Sequence, residues 1–114
     1  MSAPIIFSNT SGLALGMPVD VKQPIGELVA RTRISMEDAG ASLLTGVWEC
    51  SPGRWRRQVL EREFSHFIVG YGFFVPDHGP TIEIHAGDAV FFPANCLGEW
   101  DIRETVRKSF VIIP

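Results

Sequence analysis

Glu63 is the residue most clearly placed to do chemistry. It heads the longest apolar run of the chain, Glu63-Phe64-Ser65-His66-Phe67-Ile68-Val69-Gly70. A carboxylate in such a segment is costly to bury unless it is paired or protonated. If unpaired, it should have a raised pKa and could act as a general acid or base, which makes Glu63 the one catalytic candidate. Side chains alternate along a strand, so Glu63, Ser65 and Phe67 share one face and Phe64, His66 and Ile68 the other. With Glu63 aimed inward, His66 faces outward and is expected to be packed and hydrogen-bonded there. His85 lies on the polar face of its own alternating run with Thr81 and Glu83, and His78 sits among turn residues; both read as solvent-exposed. Trp48, Trp100, Phe91 and Phe110 could wall a pocket, although strand aromatics commonly serve as core. There is no G-x-S-x-G elbow, no G-x-G-x-x-G and no P-loop. Cys50 and Cys96 form no C-x-x-C pair and read as thiols in a reducing compartment.

The elements that must position these residues are strands. From residue 43 onward, short apolar or alternating runs are separated by Gly and Pro turns: 43–50, 54–59, 63–70, 71–75, 81–85, 89–92, 99–103 and 106–113. Ser51-Pro52-Gly53 is turn chemistry, and Gly70 and Gly72 mark a bend or bulge. Closely spaced short strands with no convincing helix indicate an all-β sandwich or barrel, and a jelly roll suits the length. Before residue 43 the signals are weaker. Residues 1–21 read as an extended arm with one short strand, 25–31 as a helical turn or a loop, 31–35 as weakly alternating, and 37–40 as a turn. Residues 1–42 are therefore taken as an arm and lead-in packing on the barrel or a partner, and 43–114 as the barrel.

A chain of 114 residues fits one domain; with 46% hydrophobic and 20% charged residues it is ordinary for a globular protein. The net charge is −3 and the only basic cluster is Arg54, Arg56 and Arg57, which argues against nucleic acid. No leader pattern and no long apolar run suggest a membrane, so a cytoplasmic protein is expected.

Two spacings carry a resemblance. Glu63 is followed by six residues and Gly70, and Gly87 by five residues and Pro93. These resemble the two motifs of the cupin superfamily. Gly46-Val47-Trp48-Glu49, Phe92-Pro93-Ala94-Asn95, Gly98-Glu99-Trp100 and Glu104-Thr105-Val106-Arg107-Lys108 look like the small cupins grouped with ureidoglycine aminohydrolase and the ethanolamine-utilisation cupin. The resemblance covers about 43–113. It implies a cupin-type double-stranded β-helix, a jelly-roll barrel with an extended N-terminal arm.

The departures from that pattern matter as much. Metal-binding cupins place two histidines upstream of the glutamate and one beyond the proline; here those positions fall near Arg56, Gln58 and Gly98. One retained ligand, Glu63, cannot hold zinc, manganese or iron, which take about three protein ligands. No cofactor is therefore expected; a divalent metal would need Glu63 joined by His66 and His85. In its place Arg56 is expected to neutralise Glu63, making an anion-binding fork beside an acid. The ligand-binding set is then Arg56, Gln58, Glu63 and Trp100, and the ligand a small polar metabolite such as a carboxylate or ureido compound. Two alternatives stand beside it: a metal-assisted hydrolase acting on a ureido or amidine compound, and a dimeric scaffold whose barrel is filled and has no cavity. A homodimer is expected, since the apolar arm and the exposed sheet edges want cover, with 54–58 as an open pairing edge.

Overall fold

The computed structural model describes residues 3–114; Met1 and Ser2, the first residues of the expected arm, lie outside them. The described residues contain no helix and nine strands: β1 Val19–Asp20, β2 Pro24–Ile25, β3 Arg31–Asp38, β4 Leu44–Cys50, β5 Gly53–Arg57, β6 Arg62–Pro76, β7 Ile82–His85, β8 Ala89–Phe92 and β9 Gly98–Ile113. The fold is all-β, as the spacing of turn residues indicates.

Two long antiparallel strands, β6 and β9, organise the sheet. Their ladder runs from Arg62↔Ile113 to Pro76↔Gly98 and is broken by register shifts between Phe67 and Gly72. The N-terminal half of β6 also pairs with β8, and its C-terminal half with β7. The C-terminal half of β9 pairs with β4, and its N-terminal half with β5. Each pair of expected strands, 63–70 with 71–75 and 99–103 with 106–113, is thus one bent strand. Buried positions on β6 shift from odd (Glu63, Ser65, Phe67) to even (Gly72, Phe74) across the irregularity, as an inserted residue requires. Gly70 sits in it at φ +97°, and an added Cβ would meet the Thr105 carbonyl oxygen at 2.3 Å, so no side chain fits.

The lead-in departs from expectation. Residues 31–38 form β3, an eight-residue strand paired with β4 from Thr32↔Cys50 to Asp38↔Leu44. Its polar composition hid it, because much of β3 faces solvent. There is no helical turn at 25–31; Pro24–Ile25 instead pairs with Trp55 and Arg54. This also closes the edge expected to be open: β5 lies between β2 and β9.

The arm lies on the chain's own sheet. Arg33 donates to the carbonyls of Leu15 and Gly16, and Gly16 N–H donates to Ile34. Arg107, almost fully buried, donates to the carbonyls of Thr10 and Leu13 and to Glu49. The core inside the curl contains Phe67, Phe74, Ile84, Phe92, Trp100, Ile102 and Val106. Phe74, Phe92 and Trp100 meet one another at tilted or edge-to-face angles with centroids 5.0–5.7 Å apart.

Candidate functional site

The concave face of the sheet leaves a cavity of about 160 Å³. Its lining comes from five strands and the β5–β6 link: Ile34 on β3, Trp48 on β4, Trp55 and Arg57 on β5, Gln58 and Val59 beyond it, Glu63 on β6, and Trp100, Lys108, Phe110 and Ile112 on β9. A barrel filled without a cavity, the expectation attached to the scaffold reading, is not what the chain builds.

At the floor of this cavity three charged side chains meet. Lys108 Nζ donates to Glu63 Oε2 at 2.5 Å, Ser65 Oγ donates to the same oxygen at 2.6 Å, and Arg57 Nη2 donates to Glu63 Oε1 at 3.3 Å. The side chains of Arg57, Glu63 and Lys108 are only 2%, 4% and 6% exposed, so this is a desolvated cluster. Arg57 is fixed further by donating to the carbonyls of Val59 and Cys96, with its guanidinium 4.2 Å above the Phe92 ring. The Lys108 ammonium stands over Trp48 at 4.6 Å, with Trp100, Phe92 and Phe67 at 5.5–5.8 Å. Such faces attract a desolvated cation by about 2 kcal/mol or more, but they accept no full hydrogen bond.

The ionisation of the cluster follows from these contacts. Burial works to raise the Glu63 pKa, but the Lys108 ammonium, the Ser65 hydroxyl and Arg57 together outweigh it and hold the carboxyl below its ordinary value. Burial pulls the Lys108 ammonium below the ordinary lysine value, with Glu63 countering only part of that. Burial likewise lowers Arg57, against the pull of Glu63; a guanidinium nonetheless stays charged at any working pH. Glu63 is therefore a paired carboxylate, not the raised-pKa acid that a partnerless residue would have been. Nearby, burial pushes the Cys50 thiol up to about 12. The indole N–H of Trp55 is buried with no nitrogen or oxygen acceptor, and the Cys50 thiol lies beside it.

Of the residues singled out from sequence, Glu63, Gln58 and Trp100 line the cavity, with Glu63 at the floor and Gln58 exposed at the mouth. Arg56 does not reach it. It makes a two-pronged pair with Asp77 at 2.7 and 2.8 Å on the outer face, because residues of β5 alternate and Trp55 and Arg57 take the inward positions. The expected Arg56–Glu63 pair is thus replaced by Arg57–Glu63 and Lys108–Glu63. His66 faces outward, as parity requires, but is exposed rather than packed. His85 is exposed beside Glu83 and Asp88. The set Glu63, His66 and His85 is therefore not brought together, and no group of three or more His, Cys, Asp or Glu suited to a metal occurs among the described residues. The donor set at Glu63 does not fit a divalent cation: an ammonium and a guanidinium already hold both carboxylate oxygens.

Sequence reasoning missed Arg57 and Lys108. For Arg57 a signal existed, since it shares the face of Trp55 whereas Arg56 shares that of Arg54. For Lys108 the signal was its spacing between Val106 and Phe110, but the other face of the same segment carries apolar residues as well, Val111 and Ile113.

Comparison with known proteins agrees with this architecture. The family model for the EutQ-like cupin domain matches residues 37–110. The EutQ protein of Clostridium difficile superposes with a TM-score of 0.66 at 16% identity, covering 75% of this chain and 69% of that one. A protein of unknown function of the DUF861 family from Pseudomonas syringae pv. tomato str. DC3000 gives 0.72 at 23% identity over 88% of this chain; the match spans only 43% of that longer protein. A DUF861 family protein from Thermotoga maritima gives 0.57 at 19% identity, over 70% of this chain and 99% of that one. No curated protein sequence matches the chain.

Proposed function

This chain belongs to the EutQ-like cupin family, and from that premise we propose that it is a small-molecule-binding cupin that holds a polar metabolite in its barrel through Lys108, Arg57 and Glu63. The observation that supports this is a cavity of about 160 Å³ with a desolvated, hydrogen-bonded ion cluster at its floor. Buried ion groups are expensive, and replacing them with apolar residues of similar volume is often neutral or stabilising. A barrel needed only for packing gains nothing from three charges at its centre. In a binding pocket the same charges orient a ligand inside apolar walls, the usual composition of a small-molecule site.

The test is a thermal-shift and calorimetric screen of small carboxylates, amides and ureido compounds against the purified chain. Saturable binding that is lost in Lys108→Met or Arg57→Met, in variants shown to be folded by circular dichroism, is the expected result. Absence of saturable binding across the panel would remove the reading.

A second copy of the chain is the partner this reading includes. Phe64 and Phe91 face each other across β6 and β8 and are 46% and 54% exposed, and among the described residues β8 pairs with no strand but β6. An apolar pair at a free sheet edge supports association there; light scattering should give a dimer, and Phe91→Lys should give a monomer. Among the described residues no helix is long and apolar enough to cross a membrane, and both cysteines are free. The free cysteines support a cytoplasmic location, to be checked by cell fractionation.

A further inference from the structure

The charges that line the cavity do not balance. Arg57 and Lys108 bring two positive charges and Glu63 one negative charge. Among the described residues no other charged side chain lines the cavity. The hydrogen-bond inventory is unbalanced in the same direction. An ammonium has three donors, and Lys108 meets one acceptor, Glu63 Oε2, among the described residues. Its remaining donors face aromatic rings or the cavity, where a bound ligand can accept from them. Above this floor the walls are apolar and flat: Trp48 and Trp55 with centroids 6.2 Å apart, then Ile34, Phe110 and Ile112.

Resting on the binding reading above, we propose that the ligand is a monoanion with a flat apolar body, a cyclic or aromatic monocarboxylate about one ring in size. The carboxylate supplies the missing negative charge and accepts from Lys108, and the ring lies against Trp48 and Trp55 toward the mouth at Gln58. The size follows from the volume: a cavity of about 150 Å³ accommodates one benzene ring, against about 160 Å³ here. A neutral ureido compound answers neither the charge nor the apolar walls, and an amidine, protonated at pH 7, would add a further positive charge. A dianion would exceed the single surplus charge and would have to leave one charge against apolar surface.

The test is calorimetric titration with sodium benzoate, its neutral isostere benzamide, sodium phthalate and urea. Wild type should bind benzoate saturably at about one per chain and at least about tenfold more tightly than benzamide or phthalate. Arg56→Ala, which alters only the outer face, should leave the benzoate affinity unchanged. Lys108→Met should abolish the preference for benzoate over benzamide. Should that variant fail to fold, the wild-type benzoate-to-benzamide ratio decides alone. Equal or tighter binding of benzamide, or saturation by urea without benzoate, would overturn the monoanion assignment and leave small-molecule binding standing. No saturable binding of any of the four compounds would overturn the monoanion assignment as well, and extending the failure to the full panel would remove both readings.

Discussion

Replacing Lys108 by Met tests the ion cluster at its most exposed assumption, that an ammonium is held at the centre of the barrel by Glu63. Methionine keeps most of the unbranched stem and its contacts with Trp48 and Phe67, and removes the charge. Deleting one member of a buried pair ordinarily costs about 3–5 kcal/mol, because the other charge is left buried without compensation. Here Glu63 would keep Arg57 at 3.3 Å and Ser65 at 2.6 Å. The substitution also removes the surplus positive charge. Both effects place the cost at or below the lower end, about 2–3 kcal/mol. At roughly 4 °C per kcal/mol for a domain of this length, the melting temperature should fall by about 8–12 °C. Urea unfolding at pH 7 is the assay, on wild type, Lys108→Met, Glu63→Gln and the double variant. The double variant should be more stable than the sum of the singles implies, by at least about 1 kcal/mol, since the two residues share a hydrogen bond. A Lys108→Met protein within about 0.5 kcal/mol of wild type, or strictly additive singles, would show that the pairing is not a feature of the folded state.

The low Glu63 pKa has a pH consequence. Its folded value lies below the ordinary 4.5, so its contribution is fully present above the unfolded value and is lost as pH falls through the folded one; Glu63→Gln should flatten the acid limb of stability against pH, followed by circular dichroism. Cys50, with its thiol pushed up to about 12, should stay unlabelled by a thiol reagent at pH 8 until the chain is unfolded, as mass spectrometry of the labelled peptide would show. Arg107→Ala removes the hydrogen bonds to Thr10, Leu13 and Glu49; it should cost about 2–3 kcal/mol and open the 8–16 segment to limited proteolysis. Gly70→Ala, at φ +97° and facing the Thr105 carbonyl, should cost about 2–4 kcal/mol by combined backbone strain and displacement of β9, read by urea unfolding.

The parts of this fold that were legible in the sequence are those written in periodicity and turn chemistry. The Gly/Pro punctuation after residue 43 marks the strand boundaries, and the spacing from Glu63 to Gly70 marks an inward acid followed by the bulge. The long strands were harder to see, because a bulge changes which side chains face inward and so looks like a strand end. β3 was hidden by its exposed, polar composition; only pairing with β4 makes it a strand. The cluster was half visible for the same kind of reason. Glu63 stands out as an acid in an apolar run, whereas Lys108 lies in a segment where both faces carry apolar residues, Val106 and Phe110 on one and Val111 and Ile113 on the other. The choice between Arg56 and Arg57 depended on which face of β5 looks inward. Trp55 carried that information, and the ligand positions implied by the cupin resemblance pointed one residue away from it.

The most direct test of the binding site is an NMR titration of the indole N–H signals, of which the chain has three, from Trp48, Trp55 and Trp100. All three residues line the cavity beside Lys108 and Glu63. Adding sodium benzoate should move the Trp48 and Trp55 signals along a saturating curve, and the movement should disappear in Lys108→Met. Signals that stay fixed in wild type, or that move equally in the variant, would contradict a charged ligand site at the floor of the barrel.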